Sequence, residues 1–479
     1  MNTQLFDIVI RNADVLDGTG SAGYRADIGI TQQRIAAIAE PNSLSANKII
    51  DASGLVVAPG FIDVHTHDDR MVIDAPEMHP KITQGVTTVI TGNCGISLAP
   101  WKAEHEVPAP LNLIGQQENY RYATVAGYAA AVRAAQPAVN VGMLIGHSTL
   151  RLNAVSDISR AANSDELAQM QILLKEGMDA GVLGFSSGLF YQTSHAAGND
   201  EVIALAKVAA RAGGVYTSHI RDEYNGVLDA LQEACDAGVA ADVPVILSHH
   251  KCAGPANWGR TVETLALITQ RRGKQRVGLD AYPYTAGSTV LDPNYVDGII
   301  RIMVSFSKPH PEMAGRDLSD IASEWGVDQK DAARRLHPAG AVYFQMREDD
   351  VQRVLSYPAT MIGSDGLPQD SHPHPRLWGS FPRVLGHYCR DEKLFSLPEA
   401  IHKMTGLSAQ NFGLRQRGKI AQDFWADLVI FDPATIADQA TFAQPKQAAI
   451  GIHWVLVNGE IALDRNGPTG SRRGQVISR

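Results

Sequence analysis

Two histidines one residue apart, His65 and His67, close the short apolar run Phe61-Ile62-Asp63-Val64. On an extended strand, residues i and i+2 point to one face, so both imidazoles reach a single ion. An isolated pair of this kind is weak evidence for a metal. Here four other short β-branched runs also end in residues that bind metals or move protons. VTTVIT runs into Gly92-Asn93-Cys94-Gly95, GVYTSH ends in His219, VPVILSH reaches His249, and ATMIGSD ends in Asp365. Cys94 would ligate as thiolate, a form that a bound metal itself favours. The flanking Gly92 and Gly95 mark an unusual backbone turn, which sets Cys94 apart from Cys235 and Cys389, read as structural thiols. Cys252, which follows Lys251, stays open between the two readings. His250 should face away from His249 on a strand. His105, His195, His387, His402 and His453 fall on helices, loops or the tail and are read as structural or surface groups. Beside a metal-activated water, the strongest reading of Asp365 is general base.

Such residues act together only if the chain brings the ends of several strands to one place. Between residues 60 and 415, β-branched runs alternate with Ala-rich and Leu-rich stretches of helical periodicity. That is the pattern of βα units around a parallel sheet. The runs GFIDVH, VTTVIT, VNVGMLIG, GVLGFSS, GVYTSH, VPVILSH, VGLDAYPY and ATMIGSD number eight, enough to close a (β/α)8 barrel. Active sites of such barrels sit at the C-terminal ends of the strands, where all six residues fall. Residues 287–346 interrupt the alternation with helical patterns of their own and read as a helical insertion, a candidate lid. Residues 1–59 and 416–479 are instead rich in short strands and turns such as Asn458-Gly459, and are expected to pair into one small β-sandwich.

Composition excludes other classes. With 44% hydrophobic and 19% charged residues, the chain can bury a large core. A net charge of -9 without a long basic tract gives no global attraction for nucleic acid or an anionic membrane. The start has no basic, apolar signal-peptide pattern, and no run approaches the ~18 apolar residues that span a bilayer. Four cysteines without a CxxC pair form no disulfide framework, so a cytoplasmic enzyme acting on a small molecule is expected.

The run PGFIDVHTH resembles the opening motif of the amidohydrolase superfamily. Together with GNCG, SHIRDE, SHHK, YPYTAGS and GSDG it resembles the N-acyl-D-amino-acid deacylases, from about residue 5 to about residue 470. The resemblance implies a metal-bearing barrel with a small sandwich and hydrolysis of a linear amide. It implies that Cys94, His219 and His249 hold one zinc tightly, and that His65 and His67 form a second, weaker site. The fourth strand, GVLGFSSGLFY, lacks the bridging lysine of the cyclic amidases, which with dipeptidases form the alternative enzyme reading. A non-catalytic interaction protein is the remote alternative. The substrate carboxylate is expected to meet Lys251 and Arg376, with Tyr191, Tyr282 and Ser288 on the same rim. Arg301, a charge inside the apolar run GIIRIMVSF, suggests a further cation and hence N-acyl-D-glutamate as preferred substrate.

Overall fold

The computed structural model describes residues 5–479, so the first four residues of the 1–59 segment lie outside it. Each of the eight runs forms one strand of a parallel sheet: Phe61–Asp63, Val86–Thr91, Asn140–Gly146, Gly184–Gly188, Val215–His219, Val245–Leu247, Val277–Ala281 and Thr360–Ile362. They pair in chain order. The eighth returns to the first through Val64 N–H to the Ile362 carbonyl (3.5 Å), Asp365 N–H to the His65 carbonyl (2.8 Å) and a parallel bridge between Thr66 and Gly366. Every residue of the second and third strands is buried, as expected of strands covered on both faces.

Helices between the strands supply that cover. Ser164–Asp179 shows why they form. Asn163 accepts hydrogen bonds from the Asp165 and Glu166 amides, while Glu166 reaches back to the Asn163 N–H, a capping box that satisfies donors at the helix start. Met170, Leu173, Leu174, Gly177 and Met178 then recur at helical spacing and are buried.

The chain ends meet where Val56–Pro59 pairs antiparallel with Leu428–Phe431. Hydrogen bonds extend this junction into one nine-stranded, mainly antiparallel sheet around an apolar interior that includes Ile10, Ile28, Val57, Leu428, Ile430 and Leu456. The stretch 416–479 does not belong wholly to that sheet. Its last residues cross to the barrel, where Val141 N–H donates to the Gln475 carbonyl (2.8 Å) and Ile477 N–H to the Val141 carbonyl (2.8 Å).

The insertion contains the expected helices, Leu318–Trp325 and Gln329–Leu336, and a three-stranded antiparallel sheet of Gly287–Val290, Ala339–Tyr343 and Ile302–Ser307 that a purely helical expectation lacks. Leu291, Val304, Leu318, Ile321, Leu336 and Ala341 give it a core of its own. Among the described residues no helix is long and apolar enough to cross a membrane.

Candidate active site

The strand ends place five nitrogen- or sulfur-bearing side chains and one carboxylate in a single cluster. His65 Nε2 lies 3.1 Å from Cys94 Sγ, which lies 3.3 Å from His249 Nε2. His249 Nε2 in turn is 2.9 Å from His219 Nδ1. On the other side of Cys94, His67 Nε2 is 3.2 Å from Asp365 Oδ1. The ligating atoms thus form two overlapping sets, His65-His67-Cys94-Asp365 and Cys94-His219-His249, each within 4.8 Å, with the thiol common to both. Bonds of about 2.0–2.3 Å from a tetrahedral zinc to nitrogen and sulfur would place its ligand atoms a little over 3 Å apart, close to these separations. His67 Nδ1 and His219 Nε2 are buried without hydrogen-bond partners. A cluster of lone-pair donors around one thiol, with buried nitrogens left over, fits a bound cation.

The local backbone is bent to achieve this. Cys94, His249 and Asp365 all adopt left-handed conformations, with φ of 54°, 35° and 50°. Non-glycine residues visit this region rarely, and such strain persists only where the surroundings enforce it. Burial works against a Cys94 thiolate, yet the facing His65 and His249 hold its pKa well below the ordinary thiol range. Burial pushes the other thiols the opposite way, Cys235 and Cys389 to about 11 and Cys252 to about 12. Burial likewise opposes an ionised Asp365, but Arg376, followed by His65, holds its carboxyl well below the usual range.

Two carboxylates orient the imidazoles from behind. Asp280, on the seventh strand, stands 3.2 Å from His65 Nδ1 and accepts the His249 backbone N–H at 2.9 Å. Glu223 Oε1 lies 3.0 Å from His249 Nδ1 and 2.5 Å from Lys251 Nζ. Acidic partners of this kind fix the tautomer and direction of a ligating histidine. Neither residue was singled out from the sequence. Glu223 has a readable signal, since it follows His219 by four residues in SHIRDE, whereas Asp280 lies within the seventh barrel run, GLDAYP.

A cavity of about 500 Å³ opens above the cluster; His67, His219, His249 and Asp365 face it. Lys251, Tyr191, Tyr282 and Ser288 line it, as the sequence reading expects, and His195, read there as a peripheral group, borders it as well. Arg376 does not form the wall. It is fully buried behind Asp365, with Nη1 2.9 Å from Asp365 Oδ2, and its guanidinium lies 4.5 Å from the Tyr282 ring centre. Arg301 is a correction: its side chain is half exposed, paired with Asp317 at 2.9 Å and stacked on Phe344, outside the cavity lining. The apolar run that suggested a buried charge is a strand whose neighbour is the start of helix Leu318–Trp325, and Asp317 at that start answers the charge.

A sequence profile of the amidohydrolase family matches residues 48–289 and 275–463. Three proteins of Alcaligenes xylosoxydans xylosoxydans align over nearly the whole chain. The D-aminoacylase is 49% identical (100% of this chain, 99% of that protein), the N-acyl-D-aspartate deacylase 46% (98% and 95%) and the N-acyl-D-glutamate deacylase 45% (99% and 96%). Among solved structures, a D-aminoacylase studied for its binuclear metal centre, with one-metal activation and second-metal attenuation, superposes with a TM-score of 0.97 at 49% identity (99% of this chain, 100% of that one). The N-acyl-D-glutamate deacylase of Bordetella bronchiseptica, complexed with zinc and a phosphonate mimic of the tetrahedral intermediate, superposes with 0.96 at 46% identity (99% and 100%).

Proposed function

We propose, on the premise that this chain belongs to the amidohydrolase family and to its N-acyl-D-amino-acid deacylase branch, that it hydrolyses the amide bond of N-acyl-D-amino acids to a carboxylate and a D-amino acid. The observation that carries this reading is the convergence of Cys94, His219, His249 and Asp365 in one cluster, from which His219, His249 and Asp365 face the cavity. Cys94, His219 and His249 would hold one zinc tightly, and His65 and His67 would form the second, weaker position. Zinc bound there supplies a Lewis acid that polarises the acyl carbonyl and lowers the pKa of water toward about 7. Asp365, kept ionised by Arg376, takes a proton from the attacking water and delivers it to the leaving amine. No acyl-enzyme is required.

Tyr282 Oη, Ser288 Oγ and Arg376 Nε are buried without hydrogen-bond partners, while Arg376 Nη1 is held by Asp365. Buried polar atoms left unpaired are costly, and a substrate carboxylate reaching them would relieve that cost. Lys251 adds charge at the same wall, already balanced by Glu223. Tyr191 packs its ring 4.9 Å from that of His219 and bounds the reacting centre.

The side chain of the substrate meets different chemistry. Arg301 does not supply the second cation that N-acyl-D-glutamate calls for, and the remaining walls include Leu113, Phe190, Tyr224, Tyr295 and Leu367. An apolar D-side chain therefore fits better than an acidic one. Burying a leucine-sized side chain is worth about 1.5–3 kcal/mol, so kcat/KM for N-acetyl-D-leucine should exceed that for N-acetyl-D-glutamate by roughly 10- to 100-fold. The test is a library of N-acyl-amino acids in D and L forms, with hydantoin and dihydrouracil alongside. Preference for D-glutamate would overturn the side-chain argument alone. Ring opening without linear-amide cleavage would instead favour a cyclic amidase and overturn the deacylase reading.

The insertion acts as a movable cover. Tyr295 at its inner edge stacks between Phe190 (5.1 Å) and Tyr224 (5.4 Å), both from barrel-strand loops. Closure of such a cover excludes water from the chemistry. Amide exchange across residues 290–345 should slow when a tight phosphonate inhibitor binds. Unchanged exchange would rule the cover out. Three buried free thiols and one half-buried one suit a reducing, cytoplasmic setting, which cell fractionation checks.

A further inference from the structure

We infer that Ser186, on the fourth barrel strand, is the positioning residue that presents the Cys94 thiolate to the metal. This rests on the reading of Cys94 as a ligand. Cys94 lies on the turn that leaves the second strand and crosses the end of the third to reach the fourth. The crossing is backbone against backbone. A Cβ at Gly92 would stand 2.1 Å from the Leu144 carbonyl oxygen, one at Gly146 2.4 Å from the Gly95 oxygen, and one at Gly188 2.2 Å from the Cys94 oxygen. Side chains are excluded from this cradle, and the buried polar groups of the turn need hydrogen-bond partners.

Ser186 supplies two of them with one hydroxyl. Its Oγ donates to the Gly92 carbonyl at 2.5 Å and accepts the Gly95 N–H at 2.9 Å, gripping the turn on both sides of Cys94. Asp69 takes the Gly92 N–H at 3.2 Å. Held between these contacts, Cys94 keeps its left-handed backbone, and its Sγ is directed at His65 and His249. Ser186 is fully buried and its hydroxyl bonds only to the turn, so it acts through Cys94. The hydroxyl of the adjacent Ser187 hydrogen-bonds Tyr216 Oη at 2.8 Å and makes no hydrogen bond to the turn, which makes it a matched control.

Outer-shell substitutions typically lower metal affinity about 10- to 100-fold. We expect Ser186→Ala to weaken zinc binding by that factor in chelator competition with the full-length protein, and to weaken or shift the thiolate-to-cobalt charge-transfer band of the cobalt-loaded protein. Ser187→Ala should leave both at wild-type values. Ser186→Thr, which retains the hydroxyl, should bind zinc more tightly than the isosteric Ser186→Val, and this pair decides the matter if the alanine variant does not fold. Wild-type affinity and spectrum in Ser186→Ala, equal losses in Ser187→Ala, or equal affinities of the Thr and Val variants would overturn the inference. A Cys94→Ala protein with wild-type zinc content would overturn the ligand reading instead, so the two failures are distinguishable.

Discussion

Asp365→Asn should keep its metal and lose nearly all turnover on N-acyl-D-amino acids. A positioned general acid–base typically contributes about 10²–10⁴-fold, and Asp365 is asked to serve both halves of the reaction, so kcat should fall by roughly that factor or more. Asparagine preserves the size and can still contact His67 and Arg376, but it cannot take a proton from water. The geometry makes the metal measurement as informative as the rate. Asp365 Oδ1 lies 3.2 Å from His67 Nε2 and 3.5 Å from His65 Nε2, within reach of the weaker metal position, while the Cys94-His219-His249 set is complete without it. If activity and tightly held zinc fall together, Asp365 is a ligand of the essential ion and the base must be sought elsewhere. If kcat stays above a tenth of wild type, the base assignment fails. Neutralising one member of a buried ion pair leaves Arg376 unanswered, a change that can cost about 3–5 kcal/mol of stability. Thermal melting must therefore accompany the kinetics, with rates measured well below the variant's Tm.

Much of this arrangement can be read along the chain because a barrel turns sequence position into spatial position. Alternation of β-branched runs and helical stretches locates the strand ends, and strand ends of a closed barrel meet at one mouth. His65, Cys94, His219, His249 and Asp365 are therefore brought together although they span three hundred residues. Contacts that depend on direction rather than order are harder to read. Asp280 meets the His249 amide because the seventh strand pairs with the sixth, and it reaches His65, at the end of the first strand, past Gly363 at the end of the eighth. His195 belongs to a four-residue helix after the fourth strand, and nothing local to it reveals that the helix borders the cavity. Arg301 misleads for a general reason: a charge in an apolar run looks buried until the neighbouring element is known, and here that element brings Asp317 across to it. The insertion strands were hidden for a similar reason. Ile302–Ser307 and Ala339–Tyr343 are short and separated by two helices, so their pairing leaves no hairpin signal.

Cys94→Ala should cost most of the bound metal, whereas Cys389→Ala should not. Cys94 Sγ is the only ligating atom common to both sets, so its loss removes a donor from the tight position and from the weaker one. It is also the one thiol whose pKa is pulled down rather than pushed up, the condition under which sulfur binds a metal without a large deprotonation cost. Changes to groups that merely orient ligands cost about 10- to 100-fold in affinity, so removal of a first ligand should exceed that range. Cys389 sits half-buried against a separate surface cavity with Phe395 and Ile436, far in the fold from the strand ends, and serves as the matched thiol deletion. Elemental analysis of protein purified without chelators gives the answer directly. A second reading comes from stability: a ligand that binds only the folded state raises the melting point by mass action, so added zinc should raise the Tm of wild type and Cys389→Ala by similar amounts and that of Cys94→Ala by much less. Equal zinc content in wild type and Cys94→Ala would mean that the thiolate is not a ligand, and that the imidazoles and Asp365 alone hold the ion. Wild-type protein free of any bound metal would revive the non-catalytic reading.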